Sequence, residues 1–184
     1  MINSIEDFKN FVDDRAFKKV FFLCGEKSFI SSGAKKIFDQ IKENKEVCIF
    51  FKTSNIPIFN ELTKIIDNVH KFKPDLLVAI GGGTVIDYAK IANVVENHEN
   101  LKDLIINYSY PFKKKFTKLI TIPTTAGSGA EVTSNAVIYV NSIKYSFESE
   151  LLVPDNYFLI PEFLLSASNN IKASAGFDAI AQAL

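Results

Sequence analysis

Continuous apolar runs alternate along this chain with segments in which apolar residues recur every three or four positions. The runs predict buried strands, which we expect at residues 18–23, 47–51, 75–80 and 118–122. The periodic segments predict amphipathic helices, which we expect at residues 31–42, 58–72 and 85–95. A regular alternation of strand and helix is typical of an α/β fold, in which helices cover both faces of a parallel sheet.

The pattern changes after the fourth predicted strand. Residues 135–140 and 145–147 are predicted to pair as a hairpin. A short strand is predicted at 157–160, and the opening of a helix at 173–184. The segments that look irregular are 96–100, 107–115 and 142–150. The chain stops without a glycine, asparagine or proline to end the last helix, so we expect a fragment of a longer protein.

Three glycines and a threonine, at residues 81–84, directly follow the third apolar run. Glycine has no Cβ atom, so this backbone can come close to a ligand. The helix predicted to start there offers N–H groups and a partial positive charge, which suit a phosphate or pyrophosphate. A tight turn without a ligand is the alternative, and the spacing matches neither G-x-G-x-x-G nor the P-loop. In a parallel sheet this turn lies at the carboxyl edge, where ligands bind.

A second glycine-containing loop, residues 121–133, follows the fourth predicted strand. Thr124 and Thr125 offer hydroxyl donors, and Gly127 and Gly129 permit a close approach to a ligand. The alternative is a connection rich in threonine and glycine that binds nothing. Together with the first glycine turn, the loop favours a site for the phosphates or ribose of a dinucleotide.

Composition narrows the classes of function. Lys and Arg number 21, as do Asp and Glu, so the chain lacks the basic excess of a dedicated nucleic-acid binder. Cys24 and Cys48 lie in apolar runs and are expected as core residues, not as a disulfide or metal pair. No apolar run reaches the length of a membrane span, and the N-terminus lacks the features of a signal peptide. We therefore expect a soluble, cytoplasmic protein.

Three motifs point to a known family. Residues 81–87 are similar to the GGGS-x-x-D element of the iron-containing (group III) alcohol dehydrogenases. Residues 123–133 resemble the PTTAGTGSEVT signature of that family, and residues 175–183 resemble its G-x-D-A-x-x-H-A segment. The resemblance implies a metal-dependent, NAD(P)-linked oxidoreductase that interconverts an alcohol and an aldehyde or ketone. It also implies a Rossmann-like domain of the dehydroquinate synthase type, without the family's C-terminal helical domain.

The resemblance implies a role for each matching residue. Those that would hold the pyrophosphate and the adenosine side of the cofactor are Gly82, Gly83, Thr84, Asp87, Thr124, Thr125 and Ser128. Asn135 would face the nicotinamide and the substrate as the catalytic residue, and Lys144 would reach the ribose. Asp178 would be the first ligand of a divalent metal, iron or zinc.

The chain departs from the family pattern at the second metal ligand. The family usually carries a histidine four residues after the aspartate, and this chain carries Gln182. The spacing keeps both side chains on one helix face, but an amide oxygen is a poorer ligand than imidazole for iron or zinc. His70 and His98 lie outside every motif and are expected to be ordinary surface or edge residues.

A second departure concerns the choice between NAD and NADP. Many NAD-preferring members of the family carry an aspartate just after the second strand, where this chain has Lys52, Thr53 and Ser54. No acid stands there to repel a 2′-phosphate, and these three side chains could hold one. The sequence therefore favours NADP over NAD, and the alternative is that Lys52 is a solvated loop residue without a role in cofactor binding.

The motifs divide the chain into an NAD(P)-binding domain at residues 1–165 and the start of a helical metal-binding domain at 166–184. We expect a homodimer that acts on a small alcohol or aldehyde and binds neither nucleic acid nor membrane. The alternatives are a relative of glycerol dehydrogenase or dehydroquinate synthase, and a non-catalytic nucleotide-binding module. The 184 residues alone are expected to bind a dinucleotide without turnover.

Overall fold

The computed structural model describes residues 3–96, 99–109 and 112–184. Its strands are β1 (Lys19–Gly25), β2 (Glu46–Lys52), β3 (Leu76–Gly81), β4 (Lys118–Pro123), β5 (Asn135–Val140), β6 (Ile143–Glu148) and β7 (Asn156–Tyr157). Five of them form a parallel sheet in the order β2-β1-β3-β4-β7. The other two, β5 and β6, form an antiparallel hairpin.

Helices connect the strands of the sheet and also begin and end the chain. They are α1 (Ile5–Asp13), α2 (Glu26–Ser31), α3 (Lys35–Ile41), α4 (Phe59–Phe72), α5 (Gly83–Ala92), α6 (Leu101–Ile106), α7 (Pro161–Leu165) and α8 (Asn169–Ala183). None of the helices in the described ranges is both long and apolar enough to cross a membrane.

Two hydrophobic cores lie on opposite faces of the sheet. Phe21 and Leu23 point to the face that α4, α5 and the β5–β6 hairpin cover. Val20 and Phe22 point to the other face, where α1, α2 and α3 pack. Successive side chains of a strand point to opposite faces, so a strand covered on both sides must be apolar throughout. The predicted α/β architecture, with a Rossmann-like parallel sheet and helices on both faces, is confirmed.

The prediction that a helix begins at residue 31 is wrong. The structure has two helices there, since α2 ends at Ser31 and α3 begins at Lys35. Gly33 lies between them with φ 85°, a conformation that glycine adopts readily and that ends a helix. The predicted third helix also ends earlier, at Ala92. There the Asn93 side chain bonds the backbone of Thr117 on both its N–H and its C=O, which fixes the approach to β4.

The hairpin is longer than predicted, and segment 142–150 is not irregular as a whole. Asn141 and Ser142 both have positive φ, 50° and 65°, as a two-residue turn of type I′ requires. Strand β6 then alternates, with Tyr145 and Phe147 buried and their neighbours exposed. The predicted strand at residues 157–160 shrinks to β7, which pairs with β4 at only two positions.

Several other sequence expectations concern single residues. Cys24 is buried and Cys48 is half-buried, and both are free thiols on strands as expected. His70 is half-buried on α4 with its ring against Phe116 at 4.8 Å. His98 lies outside the described residues, as do parts of the segments 96–100 and 107–115.

Candidate functional site

A cleft of about 1150 Å³ opens at the carboxyl ends of β1, β2, β3 and β4. The loops that follow these strands line one side of it, and residues of α8 line the other. This is the edge at which open parallel sheets bind their ligands. The volume is above the usual range for drug-sized ligands, so the cleft has room for an extended ligand.

The glycine turn after β3 allows two loops to meet. A Cβ atom on Gly81 would lie 2.5 Å from Val85 Cγ2, and one on Gly82 would lie 3.1 Å from Thr125 Oγ1. The Thr124 N–H donates to the Gly81 carbonyl oxygen at 3.0 Å. The two glycine-containing loops found separately in the sequence therefore lie side by side at the edge of the cleft.

Helix α5 begins in this cleft. Gly82 is its N-cap, and no side chain caps its first turn. Gly83 and Thr84, its first two residues, line the cleft. The N–H groups of an uncapped first turn and the positive end of the helix dipole both favour an anion. The Thr84 hydroxyl donates to the Asn55 carbonyl oxygen at 3.0 Å, so Thr84 also ties this turn to the loop after β2.

The second glycine-containing loop contacts α8. A Cβ atom on Gly127 would lie 3.2 Å from both the Ala175 carbonyl oxygen and Asp178 Oδ2. Ser128 lies beside the first turn, because a Cβ atom on Gly83 would meet its hydroxyl at 3.4 Å. Lining residues of the cleft thus include Gly82, Gly83, Thr84, Thr124, Thr125, Ser128, Lys52 and Asp178.

Four of the sequence-predicted site residues are not among those that line this cleft: Asp87, Asn135, Lys144 and Gln182. Asn135 begins β5 and Lys144 lies on β6, and both residues are exposed. Gln182 is exposed near the end of α8, one turn after Asp178. Asp87 lies on α5, close enough to Lys144 for its charge to lower the pKa of the Asp87 carboxyl.

Burial raises the pKa of Asp87 from 3.8 to about 7, because a charged carboxylate is costly in a poorly solvated place. The positive charges of Lys90 and Lys144 and a hydrogen bond from the Val137 backbone act in the opposite direction. Asp87 therefore changes its protonation near neutral pH, beside the start of the hairpin that carries Asn135.

The raised pKa of Asp87 predicts how stability depends on pH. Between pH 3.8 and about 7 the folded chain holds a proton on Asp87 that the unfolded chain has released. The free energy of unfolding should therefore fall through this group as the pH rises, by on the order of 2 kcal/mol between about pH 5 and 7.5. Asp87→Asn should remove this fall. Urea unfolding of both proteins at the two pH values measures it.

The comparison with the variant separates Asp87 from other titrating groups, such as His70, whose burial lowers its pKa. Groups common to both proteins cancel when the two free energies of unfolding are subtracted. A difference between the two proteins that stays constant with pH would contradict the prediction.

Lys90 is a buried cation that sequence reasoning missed. It is 0% exposed on α5, and its Nζ donates to the Thr133 carbonyl oxygen at 2.7 Å and to the Asn135 carbonyl oxygen at 2.9 Å. A third bond of 3.1 Å goes to the Thr133 hydroxyl. Lys90 thereby fixes the end of the second glycine-containing loop and the start of β5. The signal in the sequence is a lysine inside the apolar stretch from Ala89 to Ala92.

Hydrogen bonds to a buried acid fix the loop after β2. The hydroxyls of Thr53 and Ser54 both donate to the carboxylate of Glu61, on α4. The Lys52 ammonium donates to the Ser54 carbonyl oxygen at 2.7 Å, and burial lowers its pKa. Two of the three side chains that suggested a 2′-phosphate site therefore point to an internal acid, which weakens the physical case for NADP.

The described residues do not form a metal cage. No group of three or more His, Cys, Asp or Glu side chains suited to a metal ion occurs among them. Asp178 and Gln182 lie one turn apart on α8 and supply two ligand side chains. Iron and zinc sites in proteins normally take at least three protein ligands, so these two residues do not by themselves fit the metal.

Comparison with known proteins identifies the family of this chain. The family model for iron-containing alcohol dehydrogenase matches residues 2–161. The chain belongs to the iron-containing alcohol dehydrogenase family. A 1-propanol dehydrogenase of Citrobacter freundii is 28% identical over 169 residues, which are 91% of this chain and 42% of that enzyme.

Solved structures of this family match the fold. An iron-containing alcohol dehydrogenase from Thermococcus thioreducens matches with a TM-score of 0.83 at 26% identity. The match covers 97% of this chain and 48% of that protein's chain. A sulfoacetaldehyde reductase from Bifidobacterium kashiwanohense, solved in complex with NAD+, has a TM-score of 0.85 at 23% identity, with coverage of 97% and 48%. The chain thus spans less than half the length of these relatives and has the fold of the family's N-terminal domain.

Proposed function

We propose that this chain binds the dinucleotide of an NAD(P)-dependent oxidoreductase that interconverts an alcohol and an aldehyde or ketone. The observation that carries the proposal is the meeting of the two glycine-containing loops beside the uncapped start of α5. A pyrophosphate needs closely spaced N–H donors and space for its oxygen atoms, and this corner of the cleft offers both. Membership of the family supports the reaction class.

In this proposal, different parts of the cleft bind different groups of the dinucleotide. Gly82, Gly83 and Thr84 donate backbone N–H groups to the pyrophosphate. Thr124, Thr125 and Ser128 offer hydroxyls beside them, and Lys52 lies at the adenosine end. The bound nicotinamide ring would accept or donate the hydride, and the protein would orient it.

The nicotinamide end would extend past the lining of the cleft towards the β5–β6 hairpin. Asn135 would contact the ring and the substrate, with its backbone held by Lys90. Lys144 would reach the ribose, and Asp87 would hold or release a proton close to that group. These assignments follow the family motifs and the common location of the three residues around α5 and the hairpin.

The family name implies a metal ion, for which the described residues would supply only part of the ligand set. Asp178 and Gln182 would contribute two donors from α8 to a site that also needs other ligands. Because two donors leave such a site incomplete, no reaction step is assigned to a metal. We place the dinucleotide-binding domain at residues 1–165 and the start of the metal-binding helical domain at 166–184.

Titration of the purified chain with NADH and NADPH tests the proposal. We expect the fluorescence of the reduced nicotinamide to change on binding, with a Kd between about 1 μM and 1 mM. Alcohol oxidation by these 184 residues should be undetectable, since no group of three or more His, Cys, Asp or Glu suited to a metal ion occurs in the described part of the chain. Failure of both dinucleotides to bind well-folded protein would overturn the proposal.

A pair of glycine variants tests where the dinucleotide binds. Gly82→Val should weaken binding by at least about tenfold, because the new side chain would fill the space between the two loops. The backbone φ of Gly82 is −79°, which valine also adopts, so the variant should fold. Gly176→Ala on α8 is the matched control, since a Cβ atom there meets nothing within 4 Å. Equal affinity of the two variants would place the ligand elsewhere.

A second candidate function is a nucleotide-binding module without catalysis. The amide side chain of Gln182, where the family carries a histidine, favours it. Metal analysis of the longest natural form of the protein separates the two. Bound iron or zinc with turnover of NAD(P)H supports the enzyme, and a metal-free, inactive protein that binds dinucleotide supports the module.

A further inference from the structure

Glu61 is an acidic side chain buried beneath the loop that follows β2. It is only 6% exposed, yet it is absent from the lining of the cleft. Its carboxylate accepts the Thr53 N–H at 2.5 Å, the Thr53 hydroxyl at 2.9 Å and the Ser54 N–H at 3.2 Å. It also accepts the Ser54 hydroxyl and, at 3.0 Å, the phenol of Tyr88 on α5.

This set of bonds uses every donor of the first two loop residues. Two backbone N–H groups and two hydroxyls point inward to one carboxylate. Two carbonyl groups of the loop are also bonded, since Lys52 donates to the Ser54 oxygen and Thr84 donates to the Asn55 oxygen. The hydroxyls of Thr53 and Ser54 are therefore bonded to an internal acid, although Thr53 lies in the lining of the cleft together with Asn55.

Glu61 carries its negative charge at neutral pH. Burial acts to raise the pKa of its carboxyl, but the hydrogen bonds from Ser54 and Thr53 outweigh burial and lower the pKa to about 2. Burial raises the pKa of the Tyr88 phenol, so this group keeps its proton and remains a donor. A permanent anion thus lies directly behind Thr53 and Ser54.

A 2′-phosphate would need the opposite environment. Phosphate groups are bound by N–H and O–H donors and by cations, and are repelled by nearby anions. Two cationic residues, Lys27 and Lys52, line the described part of the cleft. The Lys52 ammonium, which lies next to Thr53 and Ser54 along the chain, already donates to the Ser54 carbonyl oxygen.

We propose that Glu61 is a positioning residue that makes this cleft prefer NAD(H) to NADP(H). It does so by holding the donors of Thr53 and Ser54 away from the ligand and by placing a negative charge behind them. The proposal rests on the proposed function, since it presumes that the adenosine end of a dinucleotide lies at this loop.

The test is the ratio of the Kd of NADPH to that of NADH, measured by titration of the purified chain. We expect a ratio of at least about ten for the natural sequence. Glu61→Gln removes the charge at nearly constant size and should lower the ratio at least about fivefold, mainly through tighter NADPH binding. Asp67→Asn, which removes a charge from an exposed position of the same helix, should leave the ratio unchanged.

A second variant keeps the test independent of whether Glu61→Gln folds. Ser54→Ala deletes a hydroxyl that the proposal assigns to Glu61, so it should change the ratio less than about twofold. If Ser54 instead holds a 2′-phosphate, Ser54→Ala will weaken NADPH binding selectively.

The outcomes separate the two proposals. Equal or tighter binding of NADPH by the natural sequence overturns the role of Glu61 while leaving the dinucleotide site intact. An unchanged ratio in folded Glu61→Gln, checked by circular dichroism, or a selective loss of NADPH in Ser54→Ala does the same. Binding of neither dinucleotide overturns the proposed function and this inference with it.

Discussion

Replacing Lys90 by methionine is expected to lower the free energy of unfolding by about 3 kcal/mol, because three hydrogen bonds of a fully buried cation are lost. Methionine fills nearly the same volume as lysine but donates no hydrogen bond. The carbonyl oxygens of Thr133 and Asn135 would lose the bonds of 2.7 and 2.9 Å that Lys90 now provides. Both bonds are only part-buried, so the loss should lie towards the lower end of the roughly 1–3 kcal/mol that a buried unpaired acceptor costs, and two acceptors are involved.

The charge of Lys90 adds to this loss. Burial lowers its pKa to about 8, and the charges of Asp87 and Glu131 act to raise it, so the lysine remains mostly charged at pH 7. Its removal would leave Asp87 without the positive charge that lowers the pKa of its carboxyl most strongly. We also expect weaker dinucleotide binding, because Lys90 fixes the end of the loop that carries Thr124, Thr125 and Ser128.

Urea unfolding at pH 7 measures the effect, with Lys64→Met as the matched control. Lys64 is an exposed lysine on α4, and its replacement should change the free energy of unfolding by less than about 0.5 kcal/mol. A loss below about 1 kcal/mol in Lys90→Met would show that the three hydrogen bonds of Lys90 contribute little to stability.

Gly81→Ala should impair both stability and dinucleotide binding. The added Cβ atom would lie 2.5 Å from Val85 Cγ2 and 2.8 Å from Val85 Cβ, closer than real contacts permit. Because Val85 belongs to the first turn of α5, the start of this helix must move away from β3. Overpacking of this kind costs about 1–3 kcal/mol, and the displaced turn should weaken dinucleotide binding at least about tenfold.

Two further variants identify the cause of that effect. Gly83→Ala places its Cβ atom 3.4 Å from the Ser128 hydroxyl, an ordinary contact, and should leave stability nearly unchanged. Val85→Ala in the Gly81→Ala background removes the γ-carbons at 2.5 and 3.2 Å but keeps the Cβ atom at 2.8 Å, so it should restore only part of the lost stability. Thermal unfolding and NADH titration measure both properties. Natural stability and affinity in Gly81→Ala would refute the predicted clash.

The sequence predicted the sheet well because buried strands leave a local signal. In β1, β3 and β4 every residue from the second onward is buried, so each strand is a continuous apolar run. The glycine turn at residues 81–84 was equally readable, since three consecutive glycines directly follow an apolar run. The structure explains the first of them, because a Cβ atom on Gly81 would clash with Val85. Helix ends were less accurate: Gly33 and Asn93 divide or end helices through backbone conformation and a distant partner, Thr117.

Short helices escaped sequence analysis because each has only one or two buried residues. Helix α6 buries Leu101 and Ile105, and α7 buries Phe163 alone, which is too few to establish a period. Their positions depend on the sheet against which they pack. In contrast, α4 buries four apolar residues at helical spacing and was found to within one residue.

The sequence by itself determined the α/β class, the two glycine-containing loops and the family, because these depend on residues that are neighbours along the chain. The tertiary structure decided which donors face the cleft and which side chains carry buried charge. Lys90 reaches Thr133 across 43 positions, and Tyr88 meets Glu61 across 27. Such pairs have no period or motif, since hydrogen bonds between distant residues form only once the sheet has brought their helices and loops together.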